Sequence, residues 1–86
     1  MQRPWVESSD YRAVIDVLRQ ARQTQNLSQR EVARRMGKPV SFVNKIELIE
    51  RRLDLLEFVV LCRALNQDPH ALLDAVMAVV SDAPRF

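Results

Sequence analysis

Cysteine and glycine are almost absent from this chain of 86 residues. A single cysteine, Cys62, excludes an internal disulfide and a cysteine-rich zinc site, and it is typical of a reducing cytosol. One glycine and four prolines favour long regular elements with few turns. Aromatic residues make up only 6%, without alternating Val, Thr and Tyr, which argues against a β-sandwich. No apolar run is long enough for a membrane span.

The composition is that of one small globular domain. Hydrophobic residues make up 48% of the chain and charged residues 28%, which argues against disorder. We expect one domain over residues 10–82, with a loose N-terminal arm at 1–9 and a tail at 83–86. Residues 1–10 lack the apolar core of a signal peptide, so we expect a cytoplasmic, nucleoid-associated protein with no membrane partner.

Positive charge is concentrated in one section of the chain. Residues 19–52 hold nine Lys or Arg against three Glu, a net +6, whereas residues 53–86 have a net charge of −3. Eleven of the thirteen cationic residues are Arg, whose planar guanidinium suits bidentate contact with phosphate. This division predicts a surface for a polyanion and a separate surface for another partner. An ordinary solvated helical surface is the alternative, and charge alone leaves both open.

Capping signals and helical spacing predict two helices before the glycine. The first covers about residues 10–25, after an N-cap in the cluster at 8–10. The second begins at a capping box made by Ser28 and Glu31. It ends at Gly37, which is suited to a left-handed C-cap.

Three more helices follow. One covers about residues 39–48, with Pro39 in its first turn. Another begins after Asp54 and ends before Asn66, and the last covers about residues 69–81. The sequence therefore predicts an all-α domain of five helices.

The second and third predicted helices have the spacing of a helix-turn-helix. Each has about eight residues, and about three residues centred on Gly37 join them. The tight turn sets the helices steeply across each other, and the small Ala33 allows close approach. Val43 and Ile46 bury the inner face of the third helix, which leaves an outer face that fits the major groove of B-DNA.

Two adjacent segments carry a family resemblance. Leu18 to Glu47 reads LRQARQTQNLSQREVARRMGKPVSFVNKIE, and Glu50 to Pro69 reads ERRLDLLEFVVLCRALNQDP. In one unbroken register they resemble the phage-repressor-like (Cro/C1-type, XRE) family of bacterial helix-turn-helix transcription regulators. The resemblance implies a five-helix lambda-repressor-like DNA-binding domain.

The resemblance also implies roles by position. Residues 39–48 become the recognition helix, Ala33 the helix crossing and Gly37 the turn. Arg22 and Glu47 match a buried ion pair that ties the first helix to the end of the recognition helix.

Three positions depart from the family pattern. Val40 stands where a polar base reader such as glutamine is common, and Asn44 where a small serine is frequent. Ile49 replaces a glycine that usually follows the glutamate at Glu47. Because β-branched residues avoid positive φ, we expect either a longer recognition helix or a turn made differently.

Base contacts are expected from the outer face of the recognition helix. Ser41, Asn44 and Lys45 share this face by helical spacing. Val40 can pack on a thymine methyl or be an ordinary first-turn hydrophobe. For the three polar residues the alternative is a solvated face, and the helix-turn-helix frame favours DNA.

Phosphate contacts are expected around this helix. The residues assigned to the DNA backbone are Ser28, Gln29, Lys38, Phe42, Arg51 and Arg52. Phe42 is alternatively a core aromatic. Arg51 and Arg52 alternatively form surface pairs with Glu50 or Asp54. We interpret the arginines of the second helix, Arg30, Arg34 and Arg35, as a solvated face.

The sequence predicts no catalytic, cofactor or metal site. Cys62 lies in an apolar helix and is expected to be a small core residue. His70 is the only histidine and has no second ligand at metal spacing. No serine, cysteine or carboxylate has a base partner at motif spacing, so we expect no enzyme.

The last helix predicts dimerisation. Nine of the thirteen residues 69–81 are apolar, and an 86-residue monomer has too little material to cover a helix that is apolar on most sides. The residues assigned to the interface are Leu72, Val76, Val79 and Val80.

These features favour a homodimeric regulator, most simply a repressor, that binds a palindromic double-stranded operator. The alternative is an antitoxin-like module that neutralises a second protein through its C-terminal helix and autoregulates its operon.

Overall fold

The computed structural model describes residues 4–86, whose regular secondary structure is all helical. The helices are α1 (Pro4–Glu7), α2 (Ser9–Thr24), α3 (Gln29–Met36), α4 (Val40–Glu47), α5 (Leu55–Ala64) and α6 (Pro69–Val79). The predicted all-α class is confirmed, and α2–α6 correspond to the five predicted helices. None of these helices is long and apolar enough to cross a membrane.

The short helix α1 was not predicted. It lies within the expected loose arm at 1–9, of which residues 1–3 are outside the described part. Trp5 is only 9% exposed, and its ring meets the Tyr11 ring edge to face at 5.4 Å. Burial of a large aromatic contributes about 1.5–3 kcal/mol, which offsets the entropy lost when a single turn is ordered.

Side-chain caps begin four of the helices, α2, α3, α5 and α6. Asp54 accepts from the backbone N–H of Glu57, whose carboxylate accepts from the Asp54 N–H in return, so this capping box is complete. Ser28 also accepts from the N–H of Glu31, at 3.0 Å. The Glu31 carboxylate, however, binds Arg34 and Arg35, so the predicted box at Ser28 is only half formed.

Four helices end in the same left-handed turn. The residues with positive φ are Asn26, Gly37, Ile49 and Asn66. Gly37 has a φ of 68°, and the Lys38 N–H reaches back to the Ala33 carbonyl at 2.9 Å, as expected of a glycine C-cap. Asparagine also tolerates this conformation, so only isoleucine is out of place.

At Ile49 the expectation from the sequence is wrong. Helix α4 ends at Glu47, and Ile49 adopts a φ of 60° in the same type of turn as Gly37. The Ile49 N–H donates to the Ile46 carbonyl at 3.1 Å, and the Glu50 N–H donates to the Lys45 carbonyl at 2.8 Å. The strain costs about 1–3 kcal/mol. Because its side chain is 6% exposed and packs in the core, burial offsets that cost.

One hydrophobic core lies between α2 and the other long helices. Its most buried large side chains are Ile15, Val32, Cys62 and Leu65. Cys62 is the predicted core cysteine, and burial raises the pKa of its thiol. Close contacts join α3 to α4, and α2 to both α4 and α6. Helix α2 therefore supports both α4 and the C-terminal helix α6.

Candidate nucleic-acid interface

Helices α3 and α4 cross at a turn that exposes one side of α4. Val32 and Ala33 of α3 are buried, and so are Val43 and Ile46 on the inner side of α4. The remaining outer side carries Val40, Ser41, Asn44 and Lys45, which we call the reading face. Ser41 and Lys45 are exposed, Val40 is 37% exposed and Asn44 is half-buried. The structure therefore brings all four predicted base readers together.

A buried ion pair holds the end of α4. Arg22 donates through Nε to Glu47 Oε2 at 2.7 Å and through Nη2 to Oε1 at 2.9 Å. The two side chains are 13% and 9% exposed. Arg22 Nη1 also donates to the Leu27 carbonyl at 2.8 Å, so one guanidinium joins α2, the following loop and α4. The pair that the resemblance implies is present, with the bidentate geometry that arginine favours.

The two residues at the start of α3 are engaged within the fold. The Gln29 side chain donates from Nε2 to Glu47 Oε1 at 2.9 Å, and the Ser28 hydroxyl caps the helix. Sequence reasoning assigned both side chains to DNA phosphates. In this structure they stabilise the ion-pair network and the helix start, and their phosphate contacts stay a prediction.

Phe42 lies half-buried against the core, between two cations. Lys38 Nζ is 5.4 Å from the centre of its ring, and the guanidinium carbon of Arg51 is 4.5 Å from it. The ring thereby fixes both cations beside the first turn of α4. Phe42 packs against the core, which is one of the two alternatives that the sequence left open, and its contact with the DNA backbone stays a prediction.

Arg51, one of the predicted phosphate contacts, has a carboxylate partner within the fold. Its guanidinium donates to the two oxygens of Glu57 at 2.8 and 2.6 Å and to the Arg52 carbonyl at 2.6 Å. The ion pair holds the pKa of Glu57 below its ordinary value. The sequence predicted Glu50 or Asp54 as the surface partner of Arg51. Arg51 binds Glu57, because the capping box turns the Glu57 carboxylate toward this loop.

Arg52 is exposed and lies against two aromatic rings. Its guanidinium carbon is 5.5 Å from the centre of the Trp5 ring and 5.9 Å from that of Tyr11. The hydroxyl of Tyr11 accepts from the Leu53 N–H at 3.2 Å, and burial raises the pKa of Tyr11. Arg52 thus remains an accessible cation beside the recognition helix, as predicted.

Sequence reasoning missed the structural use of the arginines on α3. Arg35 donates to the Ala64 carbonyl at 2.9 Å, which ties α3 to the last turn of α5. Arg34 and Arg35 both bind Glu31, and these hydrogen bonds lower the pKa of Glu31 to about 2. The i,i+3 and i,i+4 spacing from Glu31 was a readable signal for both pairs.

The C-terminal helix presents a different apolar surface from the one predicted. Leu72 is 6% exposed and packs in the core of its own subunit, which leaves it little surface for an interface. Val76 is half-buried, whereas Val79 and Val80 are exposed as expected. A groove of about 240 Å³ between α2, α5 and α6 is lined by Val14, Leu53, Leu55, Phe58, Leu73 and Val76, among others.

No group of three or more His, Cys, Asp and Glu side chains in residues 4–86 could hold a metal ion. His70 lies in the first turn of α6, where its backbone N–H donates to Asp68 Oδ1 at 3.0 Å.

Comparison with known proteins agrees with this geometry. A family model described as helix-turn-helix matches residues 18–72, more than half of the chain. No curated protein matches the sequence. The solved structure of an XRE-family like protein from Pseudomonas syringae pv. tomato str. DC3000 is 44% identical, with a TM-score of 0.78 over 85% of this chain and 89% of that one. The clp gene regulator ClgR from C. glutamicum has the same fold at 17% identity, with a TM-score of 0.72 over 83% of this chain and 92% of that one. This chain belongs to the XRE family of helix-turn-helix DNA-binding regulators.

Proposed function

We propose that this protein is a sequence-specific transcriptional regulator that binds a palindromic double-stranded operator as a homodimer and represses by occupying it. The observation that carries the proposal is the exposed reading face of α4, held in place by the buried pair of Arg22 and Glu47. We place this role in the cytoplasm, at the nucleoid, without catalysis or a cofactor.

The reading face has suitable chemistry for base edges. Lys45 can donate to the O6 and N7 atoms of guanine, and Asn44 can form paired hydrogen bonds with adenine. Val40 adds an apolar contact for a thymine methyl group. Lys38 and Arg52, on either side of this face in the chain, supply phosphate contacts that bring affinity without sequence preference.

The apolar groove supports a dimer. Leu55 projects at its rim and is 80% exposed, while Leu73 on α6 is 45% exposed. A projecting side chain beside a groove on the same surface suits a two-fold contact, because each subunit offers both parts. Among the described residues 4–86, Asp54 is the one charged residue that lines the groove, so two copies meet with little repulsion. We therefore assign the groove to a second copy of this chain.

The experiment is selection of bound sequences from a random double-stranded DNA pool. A symmetric dimer should recover a palindrome whose half-sites are about one helical turn, roughly 34 Å, apart. A control pool is selected with Lys45→Ala, which should lose the preference at one base pair in each half-site. If the wild type retains no sequence above the others, the proposed function is wrong.

An antitoxin-like role is the alternative function. In that case the groove and α6 would bind a second protein, and the product of a neighbouring reading frame would co-purify with the chain. A stable complex with that product, together with a monomeric free chain, would replace the homodimer proposal.

A further inference from the structure

Arg52 is held by an aromatic corner, which we define as Trp5 and Tyr11. The guanidinium carbon lies 5.5 and 5.9 Å from the two ring centres, and the rings meet edge to face at 5.4 Å. Trp5 comes from α1, Tyr11 from α2 and Arg52 from the loop after the recognition helix. Three separate segments therefore converge on one cation.

Hydrogen bonds join the aromatic corner to the loop that carries Arg52 and to the junction between α1 and α2. The Tyr11 hydroxyl accepts from the backbone N–H of Leu53, the residue after Arg52, at 3.2 Å. The Tyr11 N–H donates to the Ser8 hydroxyl at 3.1 Å, and this cap separates α1 from α2. Trp5 itself is 9% exposed. The position of the corner relative to Arg52 is thus set by hydrogen bonds and burial on both sides.

The two arginines of this loop, Arg51 and Arg52, differ in whether a carboxylate binds them. Arg51 is neutralised by Glu57, with contacts of 2.8 and 2.6 Å. Arg52 forms no ion pair with any carboxylate in the described residues 4–86. Contact with a ring face restricts the guanidinium without cancelling its charge. Arg52 therefore keeps the full charge that a phosphate requires while losing part of its rotamer freedom in advance.

We infer that the aromatic corner is a positioning element for Arg52, and that α1 thereby supports the DNA-binding surface from behind. The ligand is a phosphate of the duplex backbone, so the inference rests on the proposed function. Trp5 and Tyr11 do not touch DNA in this arrangement. They set the direction of the cation that does.

The experiment is a double-mutant cycle on DNA binding with the full chain. Trp5→Leu removes the ring face and should weaken binding to the selected operator by about two- to fivefold, the range of an exposed cation–π contact. The same substitution in an Arg52→Ala background should cause no further loss. Trp5→Phe, which restores a ring face, should recover most of the affinity. Val6→Ala is the matched control, because Val6 lies in the same turn without a ring.

A purely structural role gives different results. It predicts the same loss from Trp5→Leu with and without Arg52, and a loss from Val6→Ala that follows the fall in melting temperature; either outcome overturns the inference. Because Trp5 is the only tryptophan, its emission should change on Arg52→Ala without DNA, and unchanged emission also contradicts the contact. A wild type that binds no DNA overturns the proposed function, whereas a wild type and a Trp5→Leu variant that bind equally overturn only this inference.

Discussion

Arg22 and Glu47 are 25 residues apart in the chain and form two parallel hydrogen bonds of 2.7 and 2.9 Å, which join α2 to the end of α4. The acceptor carboxylate also binds Gln29 at the start of α3. All three helices around the turn therefore depend on one buried carboxylate for their relative position.

Removal of that carboxylate should destabilise the fold strongly. Glu47→Ala leaves the Arg22 guanidinium buried and uncompensated, and we expect a loss of about 3 kcal/mol or more in the free energy of unfolding. Glu50→Ala removes an exposed carboxylate and should change it by less than about 0.5 kcal/mol. Thermal and denaturant unfolding of both variants measure the difference. Equal, small losses would mean that the pair does not stabilise the protein.

Substitutions at Ile49 should separate strain from burial. Ile49→Ala removes the buried side chain but keeps a β-carbon at a φ of 60°, so we expect a loss of about 2–4 kcal/mol. Ile49→Gly loses the same contacts but relieves the strain, and it should be about 1 kcal/mol more stable than the alanine variant. Asn66, which has a φ of 58° and is exposed, is the control site, where glycine should be close to neutral. If urea unfolding shows that Ile49→Ala is more stable than Ile49→Gly, the turn is not strained.

DNA binding should divide into base selection and general affinity. Lys45→Ala should cost about 1–3 kcal/mol and relax the preference at one base pair in each half-site. Arg52→Ala should weaken all sequences alike and reduce the salt dependence, because phosphate contacts carry no sequence information. Titrations against single-base operator variants at two salt concentrations distinguish the two. The assignment of the reading face fails if Lys45→Ala leaves the base preferences unchanged while Arg52→Ala alters them.

The dimer surface should be sensitive to charge on one side of α6. Leu73 and Met77 are one helical turn apart and 45% and 64% exposed, so aspartate at both positions should give monomers without disturbing the core. Ala71→Asp, on the opposite side of α6, is the matched control and should remain dimeric. Sedimentation at tens of micromolar measures the state of each. A monomeric wild type at that concentration would rule out the dimer.

Acid should weaken the loop that carries Arg51 and Arg52. Arg51 lowers the pKa of Glu57 in the folded state below its ordinary value of 4.5. The contribution of a lowered carboxylate is fully present above pH 4.5 and is lost as the pH falls through the lower, folded-state pKa. Glu57→Gln should therefore show a smaller fall in melting temperature across this range than the wild type. Glu50→Gln is the control, and an equal fall in wild type and Glu57→Gln would refute the effect.

Local chemistry made the helix boundaries readable. Ser28, Asp54 and Gly37 are residue types whose short polar side chain or missing β-carbon satisfies a helix end within a few residues, so no distant contact is needed to predict them. The same holds for the reading face, because helical spacing alone places Ser41 and Lys45 on one side. The Arg22–Glu47 pair came from the family resemblance, since nothing in their separation indicates contact.

The surroundings of some predicted site residues depend on contacts between distant segments. Leu72 looks like any other apolar residue of the last helix, and only the packing of α6 on α2 decides that it is covered within its own subunit. Arg51 has several carboxylates nearby in sequence, and the capping of α5 selects Glu57 among them.

The sequence by itself determined the all-α class, the helix-turn-helix and the exposed side of α4, because these follow from periodicity and capping within about ten residues. Only the tertiary structure decided the left-handed turn at Ile49, the burial of Trp5 and the groove beside α6. Isoleucine avoids such a turn locally, and it is held there because its side chain fills the core. Free energy from packing between distant segments can exceed a local backbone preference of a few kcal/mol, and no local pattern reveals where it does so.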